Sequence, residues 1–387
     1  MTTSLRRSAA VLGIGISDWS ADYRASREGK RSDDSYGYAA IAYRRALADS
    51  GLDRSLVDGL IVGPTTSYER VGEILGIDPR WGGQADAGLA VIQACMALQC
   101  GLAKVVALVY GNDQRSASVQ YGGPQAMGGQ NYLSYVYHAP WGLTSQGALY
   151  ALMFQRYCAI YGAPTDALGP IAVAQRANAA ANPDAIMRKP VSLEDYARAA
   201  FVCEPLRLLD YCLVNDGGVC LLLTADPTLI KRSAKPPVYI EGVGRADLNH
   251  GATSLEPRLV DFYLPAQQLA ASQLYDMSGV GPQDVDALQI YDSFSCHILF
   301  ALEGFGYCAP GEGAQTIARR SLRFDGDLPV NTGGGHLSES YMQGWNHQVE
   351  SIRQLRGEGG SRQVKNCRRV QYISDVAGKV VSIMYGN

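Results

Sequence analysis

The chain has 387 residues, of which 47% are hydrophobic and 18% charged, and its net charge is −3. A globally disordered chain is excluded by that apolar content, and a general nucleic-acid binder by the lack of a basic excess. An anionic ligand has to be held locally, by a few Arg or Lys side chains and by helix N-termini.

The chain opens on MTTSLRRSAAVLGIG, which has no long apolar core of the signal-peptide kind. The longest apolar runs, such as VVALVY, are of strand length, so no membrane span is expected and the expected location is the cytoplasm. Nine cysteines are scattered without a C-x-x-C pair, which argues for reduced thiols and against a zinc ribbon or a thioredoxin motif within this chain.

In chain order, AAVLGIGISD (9–18) reads as a strand, and an amphipathic helix follows from about Tyr38 to Ser50, stopped by Gly51. The turn LDRSLVD leads into the strand GLIVG. DAGLAVIQACMALQCGLAKVVALVYG (86–111) reads as a helix, a break at Gly101 and a buried strand. The stretch 112–205 interrupts this order. It begins rich in Gly, Tyr and Gln, and becomes helical by periodicity in TSQGALYALMFQRYCAIYG, ALGPIAVAQRANAAANP and SLEDYARAAFVC. A loop region of that length predicts a cap over a site or a partner interface.

The order then repeats. PPVYIEGVGRAD (236–247) is a strand with glycines, a helix runs towards Gly279, and DVDALQIYD (284–292) matches the pattern of LVDGLIVG (56–63). HLSESYMQGWNHQVESIRQLRG (336–357) is predicted as one helix ended by Gly357, followed by the strands VQYISDV and KVVSIMYG. The sequence therefore predicts an α/β fold of two pseudo-two-fold-related βαβαβ halves, mostly parallel, with an inserted loop domain. The N-terminal half is expected over 1–111 and 206–235, the insertion over 112–205, and the C-terminal half over 236–387.

Strand C-termini and helix N-termini are where such sheets bind ligands. Three stretches qualify: WGGQADAG (81–88), IYDSFS (290–295) and NTGGGHLSESY (331–341). Glycines before a helix bring backbone close to a ligand, and the helix end favours a phosphate or a thioester enolate. The G-x-G pairs at Gly13–Gly15 and Gly242–Gly244 lack the rest of a dinucleotide fingerprint and read as crowded strands. No metal set is apparent among the histidines; His138, His250, His297 and His347 read as structural or surface residues. The basic pairs Arg188-Lys189, Lys231-Arg232 and Arg319-Arg320 read as solvated surface.

Together with LVNDGGVCLLLT (213–224), these pieces resemble the thiolase superfamily over essentially the whole chain, most closely its sterol-carrier-protein and lipid-transfer-protein branch. That branch implies a nucleophilic Cys at the start of the first-half helix and two histidines, one in His-Asp-Cys-Phe and one in Gly-His-Pro. Here the nucleophile position falls at Gln84 or Ala85, the first motif reads Tyr291-Asp292-Ser293-Phe294, and the second histidine falls at Tyr341. Cys95 and Cys100 lie inside the helix and read as core thiols. Without a thiolate there is no acyl-enzyme, and the tyrosine-for-histidine pattern looks like the steroid side-chain-cleaving aldolases.

The resemblance implies retro-aldol cleavage of a β-hydroxyacyl-CoA, such as a 17-hydroxy steroid side-chain thioester, to a ketone and propionyl- or acetyl-CoA. It implies catalytic roles for Tyr291, Tyr341, His336 and Asp292, with His336 and Asp292 tuning the phenols. Substrate or CoA contacts are implied for Ser293, Asn331, Gly333, Gly334, Gly335 and Ser338. No metal and no cofactor beyond the CoA thioester are implied. The expected partners are a second copy of the chain and a separate small OB-fold, zinc-ribbon protein, making a heterotetramer. The alternatives are a catalytically silent lipid-binding or scaffold subunit and a thiolase-type acyltransferase.

Overall fold

The structure is a computed structural model that describes residues 4–30, 33–118, 139–141, 145–247, 263–376 and 378–387. The first half contains β1 (Ala10–Ile16), α1 (Trp19–Arg27), α2 (Ser35–Ser50), β2 (Gly59–Val62), α3 (Tyr68–Leu75), β3 (Trp81–Gln84), α4 (Ala87–Gln99) and β4 (Val105–Asn112). The insertion contributes α5 (Gln146–Tyr161), α6 (Gly169–Ala180), α7 (Leu193–Arg198) and a hairpin of β5 (Phe201–Cys203) and β6 (Leu206–Arg207). Then come β7 (Gly217–Thr224), α8 (Pro227–Lys231), β8 (Val238–Asp247), α9 (Leu264–Ser278), β9 (Ala287–Ile290), α10 (Cys296–Gly304) and α11 (Gly313–Arg319). The chain ends with α12 (Gly335–Ser338), α13 (Trp345–Leu355), β10 (Arg369–Val376) and β11 (Lys379–Gly386).

One sheet of nine strands runs in the order β3-β2-β4-β7-β1-β8-β11-β10-β9. Read outward from its centre, β1-β7-β4-β2 mirrors β8-β11-β10-β9, which is the duplication seen in the sequence. In the first half every strand but β7 runs the same way, and in the second every strand but β11 does. The halves meet at β1 and β8, which pair antiparallel over Ala10–Tyr239 and Val11–Val238.

The two G-x-G pairs have the same cause. A Cβ on Gly15 would strike the Ala42 carbonyl of α2, and one on Gly244 would strike the Ala270 carbonyl of α9. Each glycine lets a helix backbone lie directly on its strand. α4 and α13 instead lie between the halves, touching strands of both. A Cβ on Gly88 of α4 would come within 2.6 Å of Val381 in β11, and Trp345 of α13 stacks on Tyr110 of β4 at 5.9 Å.

The helix expected over 336–357 is two helices. Gln343 (φ 47°) and Gly344 (φ 86°) take left-handed conformations that break the ladder, so Tyr341 lies in the link between α12 and α13. Asn215 fixes this link, its Oδ1 accepting the Tyr341 N–H at 2.8 Å and its Nδ2 donating to Ser340 Oγ at 2.9 Å. The nine cysteines are all unpaired thiols. Cys95 is buried, and its burial pushes the thiol up to about 12. Cys100 is exposed at the end of α4 and is not the core thiol expected. The tyrosine-rich stretch expected to cap the site, with His138 and His250, lies outside the described residues.

Candidate active site

Tyr291 follows the last residue of β9, and its N–H donates to the Ile373 carbonyl of β10 at 2.8 Å. That bond extends the parallel β9–β10 ladder one residue past the strand and aims the side chain out of the sheet's carboxyl edge. The link after α12 brings Tyr341 to meet it. The two hydroxyls lie 3.0 Å apart, and both side chains are more than nine-tenths buried.

His336 forms the floor beneath the pair. Its ring stands edge-on to Tyr291 at 4.7 Å and tilted against Tyr341 at 4.7 Å. Its Nε2 accepts the Gly344 N–H at 2.9 Å. The ring proton is therefore on Nδ1, which faces Asp292 at 3.7 Å. Burial, with His347 alongside, holds the imidazole well below its ordinary range. His336 is thus neutral, so it acts on the phenols without a positive charge.

Asp292 is fully buried, and one oxygen accepts the His336 N–H at 2.7 Å and meets His347 Nε2 at 2.9 Å. The other oxygen takes the Leu337 N–H at 3.4 Å. Burial raises this carboxyl, opposed by His347 and by the two backbone donors. Its oxygens are committed to α12 and His347. Asp292 thereby anchors the start of α12 to the end of β9.

The glycine turn is packed against protein. A Cβ on Gly333 would fall 2.7 Å from Glu339 Oε1, one on Gly334 2.7 Å from Ala179, and one on Gly335 against Asp292 and Asn331. The missing Cβ atoms make room for α6, Glu339 and Asp292. Asn331 uses both ends of its amide on one residue, accepting the Ile290 N–H at 2.6 Å and donating to the Ile290 carbonyl at 2.8 Å. Ser338 Oγ accepts from Arg176 at 3.2 Å, and the Ser293 carbonyl accepts the Cys212 N–H at 3.0 Å.

Several residues that organise this site have no role that the sequence alone assigns. Asn178 in the last turn of the alanine-rich α6 and Asn182 just past its end donate to the Val330 carbonyl at 3.0 Å and the Gly333 carbonyl at 3.0 Å. Two asparagines at i and i+4 on an otherwise small-residue face are a legible signal of a backbone-holding stripe. Asp210 accepts from Ser295 Oγ at 2.6 Å and Tyr196 at 2.9 Å. Among the described residues, one group brings metal-ligand-type atoms together: Asp292, His336 and His347, within 4.8 Å. Asp292 links the other two, accepting the His336 backbone N–H and meeting His347 Nε2, and His336 lies against both tyrosines.

A family described as thiolase C-terminal domain-like matches residues 249–382. The chain is 34% identical over 369 residues to a steroid side-chain-cleaving aldolase of Thermomonospora curvata, covering 90% of each protein. It is 34% identical over 373 residues to a 17-hydroxy-3-oxo-4-pregnene-20-carboxyl-CoA lyase of Mycobacterium tuberculosis, covering 90% of this chain and 92% of that one. The solved structure of the Ltp2-ChsH2(DUF35) aldolase superposes with a TM-score of 0.88 at 30% identity, covering 99% of each chain. A duplicated sheet with two tyrosines meeting at its carboxyl edge is thiolase-like, and the chain belongs to the thiolase superfamily, in the lipid-transfer-protein branch that holds these carbon–carbon lyases.

Proposed function

We propose that the chain is an aldolase that cleaves a β-hydroxyacyl-CoA, with Tyr291 attending the β-hydroxyl and Tyr341 the α-carbon. The observation that carries this reading is the 3.0 Å contact between the two hydroxyls, at the two positions where thiolysis would place histidines. The β-hydroxyl gives up its proton, the Cα–Cβ bond breaks, and Cβ becomes a ketone carbon. The bond's electron pair becomes the enolate of the CoA thioester, which Tyr341 protonates at carbon. A proton passing between the two hydroxyls resets the pair. The thioester is the electron sink, so the reaction requires no further cofactor and consumes no free CoA.

The names of the relatives supply the substrate class. A 17-hydroxy steroid bearing a three-carbon CoA thioester side chain at that carbon would give a 17-ketosteroid and propionyl-CoA. A two-carbon chain would give acetyl-CoA. The superposed aldolase is named for two proteins, Ltp2 and ChsH2, which supports a second, separate subunit; in this reading it is a small OB-fold, zinc-ribbon protein joined to a homodimer of this chain. No helix among the described residues is long and apolar enough to cross a membrane, in keeping with a cytoplasmic assembly. An acyltransferase would need a reactive thiol at the start of α4. Gln84 stands there, donating to the Thr66 carbonyl at 2.8 Å, and Cys95 is inside the helix.

The test is incubation of the purified protein, with and without any small subunit that co-purifies, with a steroid β-hydroxyacyl-CoA carrying a tertiary alcohol. Release of the ketone and a short acyl-CoA without added CoA is expected. Intact substrate in the presence of folded protein that binds it would sink the lyase reading in favour of a binding or scaffold role.

A further inference from the structure

The phenol pair leaves one chemical need open. A neutral phenol is a poor acceptor for an alkanol proton, since an ordinary phenol ionises near pH 10. Asp292 accepts from the α12 backbone and meets His347, and His336 Nε2 is taken by the Gly344 N–H. A third imidazole adjoins the site. His297 is the second residue of α10, whose N-terminal end follows the Tyr291–Ser295 turn, and helical side chains lean back towards that end. Its ring lies 5.9 Å from that of Tyr291, 4.2 Å from that of Tyr150 and 5.9 Å from that of Phe294.

Each of the three buried histidines among the described residues has one ring nitrogen without a hydrogen-bond partner, Nδ1 in His336 and His347 and Nε2 in His297, so they differ in which nitrogen is left open. His336 Nε2 is held by Gly344, and His347 Nε2 meets Asp292. His297 is hydrogen-bonded to the backbone of Asp375, whereas its Nε2 has no hydrogen-bond partner among the described residues, although the residue is only 4% exposed. A buried polar atom without a partner is costly and calls for an explanation in function. With the Asp375 carbonyl fixing the proton on Nδ1, Nε2 presents a lone pair. Burial pushes the ring down to about 3, so that lone pair is free at neutral pH.

We propose that His297 Nε2 receives the β-hydroxyl proton of the substrate, making His297 a further catalytic residue and the reader of that hydroxyl. This rests on the retro-aldol reading of the tyrosine pair. The hydroxyl donates to Nε2 and accepts from Tyr291. As Cα–Cβ breaks, the O–H proton moves to Nε2 and the hydroxyl oxygen becomes the ketone oxygen. The bond's electron pair forms the enolate, and that negative charge offsets the burial of the new imidazolium. Tyr341 protonates the α-carbon. The proton on Nε2 then returns through Tyr291 to Tyr341, so atoms and charge balance over one turnover.

The test compares wild type, His297→Phe and His297→Gln. Each is assayed for turnover of a steroid β-hydroxyacyl-CoA and for binding of that ligand and its deoxy analogue. Phe keeps the stacking on Tyr150 and Phe294 but has no lone pair. It should lower kcat by about 10²-fold or more and abolish the preference for the hydroxylated ligand, which should be about tenfold in wild type. Gln can still donate to Asp375 and accept from the hydroxyl, so it should keep the preference without restoring kcat. His297→Phe with kcat within about tenfold of wild type and an unchanged preference would overturn the proposal. If His297→Phe does not fold, wild-type kcat in His297→Gln overturns it equally. A wild type that binds with a hydroxyl preference but never cleaves would fail the lyase reading and leave His297 as the hydroxyl reader. No preference in wild type would remove His297 from the site.

Discussion

Tyr291 and Tyr341 share a 3.0 Å hydroxyl contact although they are 50 residues apart in sequence. Two different supports create that contact: the β9–β10 ladder holds Tyr291, and Asn215 holds the backbone of Tyr341. Neither support runs through a hydroxyl, so removing a hydroxyl should spare the fold. Tyr291→Phe and Tyr341→Phe should each lower kcat by about 10²–10⁴-fold while circular dichroism and the thermal midpoint stay near wild type. Because the hydroxyls act as one unit, the double variant should lose little more than either single one. Multiplicative losses would mean that the two phenols work independently.

Asn331 lies at φ 48°, in the left-handed region that asparagine tolerates best after glycine. Its amide closes both backbone groups of Ile290, the residue before Tyr291. Asn331→Ala leaves a buried N–H and a buried C=O unpaired. At about 1–3 kcal/mol each, the expected loss is roughly 2–6 kcal/mol in urea unfolding. Activity should fall as well, through misplacement of Tyr291. A variant as stable as wild type would show that the turn is held by other contacts.

The duplication and the strand and helix order were legible in the sequence, because strand–helix periodicity is a local signal, whereas the two tyrosines stood out only through the resemblance to the thiolase superfamily. The conformation of 339–344 was not. SESYMQG reads as helix by composition, and the break comes from Gln343 and Gly344 in left-handed conformations, with Asn215 taking the Tyr341 N–H from far along the chain. The glycines at 333–335 read as space for a ligand. A glycine run looks the same whether its missing Cβ makes room for substrate, an aspartate or a helix. Only the packing of Ala179, Asp292 and Glu339 distinguishes these cases.

Glu339 lies buried beneath that turn, bonded to Asn182 at 2.8 Å and Asn346 at 3.0 Å. Burial, and then repulsion from Glu350, raise its carboxyl to about 7. A folded-state value above the unfolded one means that the folded state holds its proton longer. The stability from this group is therefore full below about pH 4.5 and is lost as pH rises through 7, a span of about 3 kcal/mol at most. Glu339→Gln removes the titration. Urea midpoints of the two proteins should diverge in favour of the variant between pH 5 and 8. Parallel midpoints across that range would place the Glu339 titration elsewhere.

Gly335 and Gly83 provide a paired test of what the glycines do. Gly335 has φ 58°, and a Cβ there would lie 2.7 Å from Asn331 Nδ2 and closer still to Asp292. The carboxylate cannot retreat without leaving the His336 N–H and His347 Nε2. Gly335→Ala therefore combines left-handed strain of about 1 kcal/mol or more with displacement of the anchor under both tyrosines. Gly83, in the edge strand β3, meets nothing within 4 Å and has an ordinary φ. Gly83→Ala should leave stability within about 0.5 kcal/mol of wild type. If the turn positions the tyrosines, Gly335→Ala should lower kcat far more than it raises KM, because the damage falls on the reacting groups. A rise in KM alone would mean that the turn contacts the ligand directly, as the glycine run by itself suggests.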